Sequence, residues 1–294
     1  MNRVRKQIHY SRAEKEQLTG YHIGVGVLDS GIFPHEDLKD QIRAFRDFTN
    51  KYQLPYDETG HGTHVCGILA GNGRVLHGKY KGMAPCCDLY VGKILNKRGE
   101  GSLKTLLRGL QWLLSIAESC KIRVINISVS SIASARPEEQ RKLYELFQYA
   151  YENNILIVTA AGNFGPGDNT ISRLGDTPYV ICVGCHDGDL ENGGLRCQDC
   201  SGRGPGENVW KKPDVVAPGT QIISCQAAYG KYVARSGTSM ATPIVSGLLA
   251  LAWEKYPYLN AMQLKRKLIL SATDLGESYL MQGAGMVDVE KMLS

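Results

Sequence analysis

Short, nearly continuous apolar runs alternate with amphipathic stretches along this chain. Runs rich in valine and isoleucine are typical of strands that are covered on both faces of a sheet. They occupy residues 22–29, 89–95, 124–129, 155–163 and 179–185. Between residues 102 and 119, leucines recur at three- and four-residue spacing, which predicts an amphipathic helix. Further helices are predicted to open at residues 134–139, with Pro137 in the first turn, and to cover residues 239–253 and 261–270.

The alternation of strands and helices predicts an α/β fold in a single domain. Its central sheet should be mostly parallel, with helices on both faces, which makes three layers. Open parallel sheets carry their functional groups at the carboxyl ends of the strands. This rule directs attention to Asp29, Ser128 and Asn163, each of which ends or closely follows a predicted strand.

Three local motifs contain the residue types that nucleophilic catalysis needs. They are VLDSG (27–31), HGTHVCG (61–67) and SGTSMATP (236–243). A serine hydroxyl is a weak nucleophile, so it needs a base within hydrogen-bond reach and a third group that orients the base. Asp29, His61 and Ser239 supply these three groups. Each residue alone also fits a plain structural role as a turn residue, a loop residue or a helix cap, but their joint occurrence favours catalysis.

Over residues 23 to 293 the sequence resembles the subtilase family. VLDSG, HGTHVCGILAG, AAGN and SGTSMATP match its four active-site motifs, and the connecting segments are most similar to the AprX-like intracellular bacterial branch. The resemblance implies a subtilisin-like fold and serine endopeptidase activity, for which the chain order Asp, His, Ser is that of subtilisin. It also implies roles: Ser239 as nucleophile, His61 as general base and acid, Asp29 orienting His61, and Asn163 with the Ser239 N–H in the oxyanion hole.

Retention of all four residues argues against a pseudoprotease that only binds peptides. Broad degradation of intracellular proteins and dedicated processing of a precursor peptide both remain open. The resemblance further implies that substrate binds as an added strand. The segments that would flank it are Gly99, Glu100 and Gly101; Ser128, Val129 and Ser130; and Ala160, Ala161 and Gly162.

One of these segments departs from the family pattern. The family usually has two glycines where this chain has Ser130 and Ser131, so a Cβ narrows the approach to the cleavage site. The segments near the expected specificity pocket carry no charge. We therefore expect an apolar or neutral substrate residue before the cleaved bond.

Composition and charge exclude other classes of function. The chain has 294 residues, of which 43% are hydrophobic and 21% charged, which is ordinary for a globular protein. The net charge of +5 is spread along the chain, so nucleic acid is not an expected partner. No apolar run is long enough to cross a bilayer. The N-terminus has no apolar signal region, so we expect either a protein that stays inside the cell or one whose leader was removed before this numbering. Met1 favours the first, and the predicted location is cytoplasmic.

The first 19 residues form a short basic segment before the predicted peptidase domain at residues 20–294. Because the segment has many charges and few apolar residues, we expect it to lie outside the core. One hypothesis is that it docks across the cleft as an extended strand and restrains activity. The alternative is a solvated tail or a short helix on the outside of the domain.

Nine cysteines, an odd number, favour free thiols over a disulfide framework. Cys182 and Cys185, with Cys197 and Cys200, form two CxxC pairs that are similar to a zinc ribbon. The first pair lies in a predicted strand, so we favour free thiols there as well. Subtilases often bind calcium, and Asp37 matches a calcium-binding aspartate of the family. The partner loop at 71–78 contains no acid, which argues against a strong site of the usual kind, although calcium binding stays open. Catalysis is expected to require no cofactor.

Overall fold

The computed structural model describes residues 1–50, 52–129, 136–188, 196–206 and 210–294. Its main element is a seven-stranded, fully parallel sheet in the order β2-β3-β1-β4-β5-β6-β7. The strands are β1 (Gly24–Asp29), β2 (Ile42–Asp47), β3 (Asp88–Lys93), β4 (Ile122–Ile127), β5 (Leu156–Ala160), β6 (Val180–Cys185) and β7 (Val215–Ala217). An antiparallel pair, β8 (Ile222–Cys225) and β9 (Tyr232–Arg235), lies apart from the sheet. The predicted α/β fold is confirmed.

Helices cover both faces of the sheet. They are α1 (Asn2–Gln7), α2 (Ser11–Lys15), α3 (His61–Ala70), α4 (Leu103–Ile116), α5 (Pro137–Glu152), α6 (Cys197–Cys200), α7 (Thr238–Lys255), α8 (Ala261–Ser271), α9 (Tyr279–Gln282) and α10 (Val289–Met292). Alternate residues of one strand enter different cores: Val124 packs with α3 and α7, whereas Ile125 packs with α4 and α5. None of the helices in the described ranges has both the length and the apolar character needed to cross a bilayer.

The N-terminal segment is part of the main core, so the expectation that it lies outside the core is wrong. Val4, Ile8, Tyr10 and Ala13 are buried and belong to the same hydrophobic cluster as α3 and α7. The segment forms α1 and α2 rather than an extended strand, which also removes the basis for a strand across the cleft. The apolar side chains of this segment turn inward while its charged residues are exposed or half-buried, a pattern that overall composition conceals.

The prediction of free thiols rather than a disulfide framework is wrong for one pair of cysteines. Cys185 at the end of β6 and Cys197 at the start of α6 form a disulfide, with their Cα atoms 5.8 Å apart. This separation lies within the range that a disulfide requires. The other seven cysteines are free thiols. An odd count excludes complete pairing but does not exclude a single bond between residues that the fold brings together.

Candidate active site

Three neighbouring strands, β1, β4 and β5, end at one edge of the sheet. Asp29 is the last residue of β1, Ser128 directly follows β4, and Ala161 directly follows β5. Because the strands are parallel and adjacent in the order β1-β4-β5, their carboxyl ends meet there. The sheet therefore gathers residues that lie far apart in the sequence, from Asp29 to Ala161.

Asp29 and His61 are directly hydrogen-bonded. The Asp29 side chain is fully buried, and its Oδ1 lies 2.7 Å from Nδ1 of His61, the first residue of α3. The same oxygen accepts from the Ser30 N–H at 2.7 Å. Close approach requires glycine at position 62, because a Cβ there would lie 2.1 Å from the Gly31 carbonyl oxygen. This arrangement fixes the imidazole with Nε2 directed away from the carboxylate.

The two histidines of the HGTH motif have opposite properties. Burial lowers the pKa of His61, but the charge and hydrogen bond of Asp29 outweigh it, and the pKa lies above its usual 6.5. Burial lowers the pKa of His64 to about 3, so it is neutral at physiological pH. Its Nε2 lies 3.0 Å from the carbonyl oxygens of Ile222 and Val233. His64 therefore joins α3 to the β8–β9 pair, whereas His61 is the histidine placed beside an acid.

Ser239 lies in the first turn of the long, buried helix α7. Gly237, just before this helix, has a φ of 135°, a region that L side chains rarely adopt. The Ser239 hydroxyl donates to the Ser128 carbonyl oxygen at 2.8 Å. N–H groups in the first turn of a helix have no intrahelical acceptor, and the helix dipole makes this end positive. The Ser239 N–H is thus placed where an anion would be stabilised.

Asn163 lies beside the catalytic turn that precedes α7. Its Oδ1 accepts from the Thr238 N–H at 3.1 Å and from the Thr238 hydroxyl at 3.2 Å. Because a backbone N–H can only donate, these contacts identify this atom as the amide oxygen. The residue is exposed. The Asn163 NH₂ group therefore remains available to donate to a ligand, next to the residue that precedes Ser239.

The predicted substrate segments lie in two kinds of environment. Gly99 and Glu100 are in an exposed turn, and Gly101 forms an antiparallel bridge with Leu95. Ser128 and Val129 are buried after β4, while Ala160 ends β5 and Ala161 and Gly162 directly follow it, all three buried. Ser130 and Ser131 lie outside the described residues.

Sequence reasoning missed the buried residue Asp57. Its Oδ1 accepts from the Ser30 hydroxyl at 2.8 Å and the Gly60 N–H at 2.9 Å, while its Oδ2 accepts from the N–H and hydroxyl of Thr63. It thereby joins the turn after Asp29 to the start of α3. An aspartate three residues before a glycine and the predicted His61 motif is a turn-capping signal that could have identified it.

A subtilase family model matches residues 20–287. The chain belongs to the subtilase family. Serine protease AprX from Bacillus subtilis (strain 168) is 35% identical over 299 residues, which cover 94% of this chain and 67% of that protein. Subtilisin DY from Bacillus licheniformis is 33% identical, with coverage of 95% and 94%. Intracellular serine protease from Paenibacillus polymyxa is 33% identical, covering 92% of this chain and 80% of that protein.

Solved subtilase structures show the same fold. Sphericase superposes with a TM-score of 0.80 at 30% identity, and the alignment covers 92% of both chains. The S41 psychrophilic protease also has a TM-score of 0.80, with 29% identity and the same coverage. Together with the family match, these relatives show that the chain is a subtilisin-like serine endopeptidase, and the predicted AprX-like resemblance is confirmed.

The residues that would hold a subtilase calcium ion do not fit one here. Asp37 is fully buried, but its Oδ1 accepts from the Val75 N–H at 2.9 Å and its Oδ2 from the Tyr232 hydroxyl at 2.6 Å. Burial and this carboxylate raise the pKa of Tyr232, so its proton stays in place. In the 71–78 loop, where the calcium partners of Asp37 would be expected, Arg74 forms an ion pair with Asp40 at 2.9 Å. Protein donors thus occupy the oxygens that a hard cation would need.

The two CxxC pairs do not converge on a common point. Cys182 packs in a small cluster with Ala161 and Ile171, whereas Cys185 and Cys197 are bonded to each other in the main core. The Cys200 thiol donates to the Cys197 carbonyl oxygen. Asp187 lies near the disulfide, but its carboxylate accepts from the N–H groups of Gly219 and Thr220. A four-cysteine zinc site is therefore not formed by these residues.

Proposed function

We propose that the chain hydrolyses peptide bonds through an acyl-enzyme on Ser239. The observation that carries this proposal is the 2.7 Å hydrogen bond from His61 to buried Asp29, at the sheet edge where Ser239 opens α7. The Ser239 Oγ attacks the scissile carbonyl carbon while His61 Nε2 takes its proton. The C–N bond then breaks as His61 gives that proton to the leaving amine, and water releases the acyl group by the reverse sequence.

The resting hydroxyl has to change direction before it reacts. In this structure it donates to the Ser128 carbonyl oxygen. Proton transfer to His61 requires the hydroxyl to turn toward Nε2, a rotation about a single side-chain bond. Asp29 supports the transfer because it stabilises the imidazolium that forms.

The negative charge of the tetrahedral intermediate would be held by two donors. These are the Asn163 side-chain NH₂, oriented by the Thr238 contacts to its oxygen, and the Ser239 N–H. Preorganised donors of this kind act without reorganisation during the reaction. Removing one costs about 10²–10³ in kcat, a value that comes from subtilisin itself.

We infer that the peptide substrate adds as an extended strand between two segments. Gly99 and Glu100 are exposed and Gly101 is half-buried, and the Ser128 carbonyl oxygen contacts the Ser239 hydroxyl, so the two segments could border a strand that reaches the nucleophile. The specificity pocket would be formed by the apolar Ala160, Ala161 and Gly162, which favours a neutral residue before the cleaved bond.

The biological role is either degradation of intracellular proteins or processing of a dedicated precursor peptide. Similarity to a protein named intracellular serine protease supports a cytoplasmic location for this chain as well. Cleavage-site profiling on a proteome-derived peptide library separates the two roles. Cleavage at many unrelated sites indicates degradation, whereas one extended consensus indicates processing.

The nucleophile is tested by Ser239→Ala. We expect the variant to fold with unchanged thermal stability and to lose peptide hydrolysis, leaving only about 10³–10⁴ over the rate in water. Ser115→Ala, at an exposed serine of α4, is the matched control and should keep full activity. A Ser239→Ala variant with near-wild-type turnover would show that another residue is the nucleophile.

A further inference from the structure

A single lysine ammonium is buried beside the proposed triad. Lys93, the last residue of β3, is 0% exposed, although lysine is almost never fully buried without partners. Its Nζ lies 2.6 Å from the Ser30 carbonyl oxygen, 2.8 Å from the Leu95 carbonyl oxygen and 2.7 Å from Glu58 Oε2. The three ammonium donors are thus matched by three acceptors. The Tyr56 ring adds a cation–π contact at 4.9 Å from its centroid.

Each acceptor belongs to a different part of the proposed site. Ser30 follows Asp29, and its N–H already donates to the Asp29 carboxylate. Glu58 lies three residues before His61, in the segment that leads into α3. Leu95 forms the bridge with Gly101, next to the turn where substrate would add. The Lys93 ammonium therefore links the turn after Asp29, the segment that leads to His61 and the Leu95 end of the expected substrate strand.

The Lys93 contacts supply hydrogen bonds to two carbonyl oxygens that the strand pairing of the sheet does not reach. The strand register ends where Asp29 pairs with Lys93, so Ser30 and Leu95 lie beyond the last ladder positions. Their carbonyl oxygens would lose a charged donor if the ammonium were absent, and buried carbonyls without donors are strongly disfavoured. The turn after Asp29 and the substrate edge would then have to rearrange or admit water.

We propose that Lys93 is a positioning residue that holds the Asp29 turn, the segment before His61 and the Leu95 edge in one arrangement. The proposal rests on the proposed function, because it concerns the geometry of that triad. Lys93 acts through its neighbours and contacts no reacting atom. Displacement of a reacting group by about 1 Å costs about 10²-fold in rate, so small shifts of this arrangement would be measurable.

The test compares two buried lysines. Lys265 is also buried, and its Nζ bonds the carbonyl oxygens of Pro178 and Val180 at the start of β6, the opposite end of the strands from the proposed site. Lys93→Met and Lys265→Met should both lower thermal stability. Only Lys93→Met should lower kcat/KM, by about 10- to 100-fold, at a temperature where circular dichroism shows both variants folded.

Two further readouts separate positioning from stability. A fluorophosphonate should label Ser239 more slowly in Lys93→Met than in Lys265→Met. The acid limb of the labelling rate should also move to lower pH in Lys93→Met. A loosened contact with Asp29 stabilises protonated His61 less, so the His61 pKa should be lower in this variant than in the wild type. Equal labelling rates and equal acid limbs in the two folded variants would overturn the proposal.

Glu58→Gln covers the case in which Lys93→Met does not fold. The Glu58 side chain is 39% exposed, so its substitution leaves the core intact while removing the charge on one acceptor. We expect an about two- to tenfold loss of kcat/KM with a smaller shift of the acid limb; no change in either overturns the proposal. If wild-type protein is not labelled at Ser239, the proposed function fails, and that result is distinct from equal labelling of the variants.

Discussion

Ile8→Ala tests whether the N-terminal segment belongs to the same folding unit as the peptidase core. Ile8 is 0% exposed, packs in the main cluster, and accepts from the Val289 N–H at 2.8 Å through its carbonyl oxygen. The substitution keeps that backbone bond and removes three side-chain carbons. It therefore measures the packing of the segment without deleting it.

The expected destabilisation follows from the buried volume. Each carbon group contributes about 0.8 kcal/mol of transfer free energy, which gives about 2.4 kcal/mol for three. The unfilled space adds a cavity cost, so we expect about 3–4 kcal/mol, inside the range of about 2–5 kcal/mol for such truncations. At about 2–4 °C per kcal/mol for a large domain, Tm should fall by about 6–16 °C.

Differential scanning calorimetry measures this change, with Leu54→Ala as control. Leu54 is 80% exposed, so its truncation should change the free energy of unfolding by less than about 0.5 kcal/mol. If Ile8→Ala lowers Tm by less than about 2 °C, the reasoning is refuted. That result would favour a segment outside the folding unit, which is what a domain boundary between residues 19 and 20 predicts.

The same variant tests the inhibitory hypothesis. Since the segment forms two helices in the core rather than a strand in the cleft, kcat/KM on a short peptide at 25 °C should equal that of the wild type. An increase would show that loosening the segment relieves inhibition. The two readouts, Tm and kcat/KM, are independent, so each hypothesis can fail separately.

Further predictions concern pH, redox state and metal. The acid limb of kcat/KM should lie above pH 6.5, because the His61 pKa is raised and protonated His61 cannot accept the serine proton. Arg235→Gln should move this limb to higher pH, since the positive charge of Arg235 lowers the His61 pKa. Reduction of Cys185–Cys197, 12 residues apart, should cost about 3 kcal/mol in calorimetry, and Cys185→Ala should abolish the response to reductant. A chelator should leave Tm unchanged, because protein donors occupy Asp37; a fall that calcium reverses would contradict this.

The sequence predicted the longer strands that are buried on both faces, and it missed the half-buried β2 and the buried but short β7. β1, β3, β4, β5 and β6 each contain a continuous apolar run. β2 is half-buried and reads IRAFRD, and β7 has three residues, so neither has a recognisable run. Helix α3 was missed for the opposite reason: it is buried on nearly every side, so it lacks the amphipathic period that identifies a surface helix.

The N-terminal error has a related cause. Val4 and Ile8 lie one helical turn apart, which places both on one face of the segment, but the many charges dominate its composition. Those charges find partners where the segment meets the core: the Arg5 guanidinium, whose side chain is 13% exposed, contacts Glu14 and the carbonyl oxygen of buried Gly82. Composition alone could not reveal this division, because it does not record which face each side chain occupies.

The candidate site shows a comparable division between chemistry and geometry. The residue types at Asp29, His61 and Ser239 are dictated by the proposed reaction, so a motif can identify them. Asp57 and Lys93 need only satisfy nearby donors and acceptors, a task that other residue types also perform, so no catalytic motif includes them, and only a turn-capping pattern points to Asp57. Yet Asp57 ties Ser30 to the start of α3, and Lys93 ties Ser30 to Glu58. The distance between the acid and the histidine therefore depends on buried polar contacts that become apparent only when the fold is known.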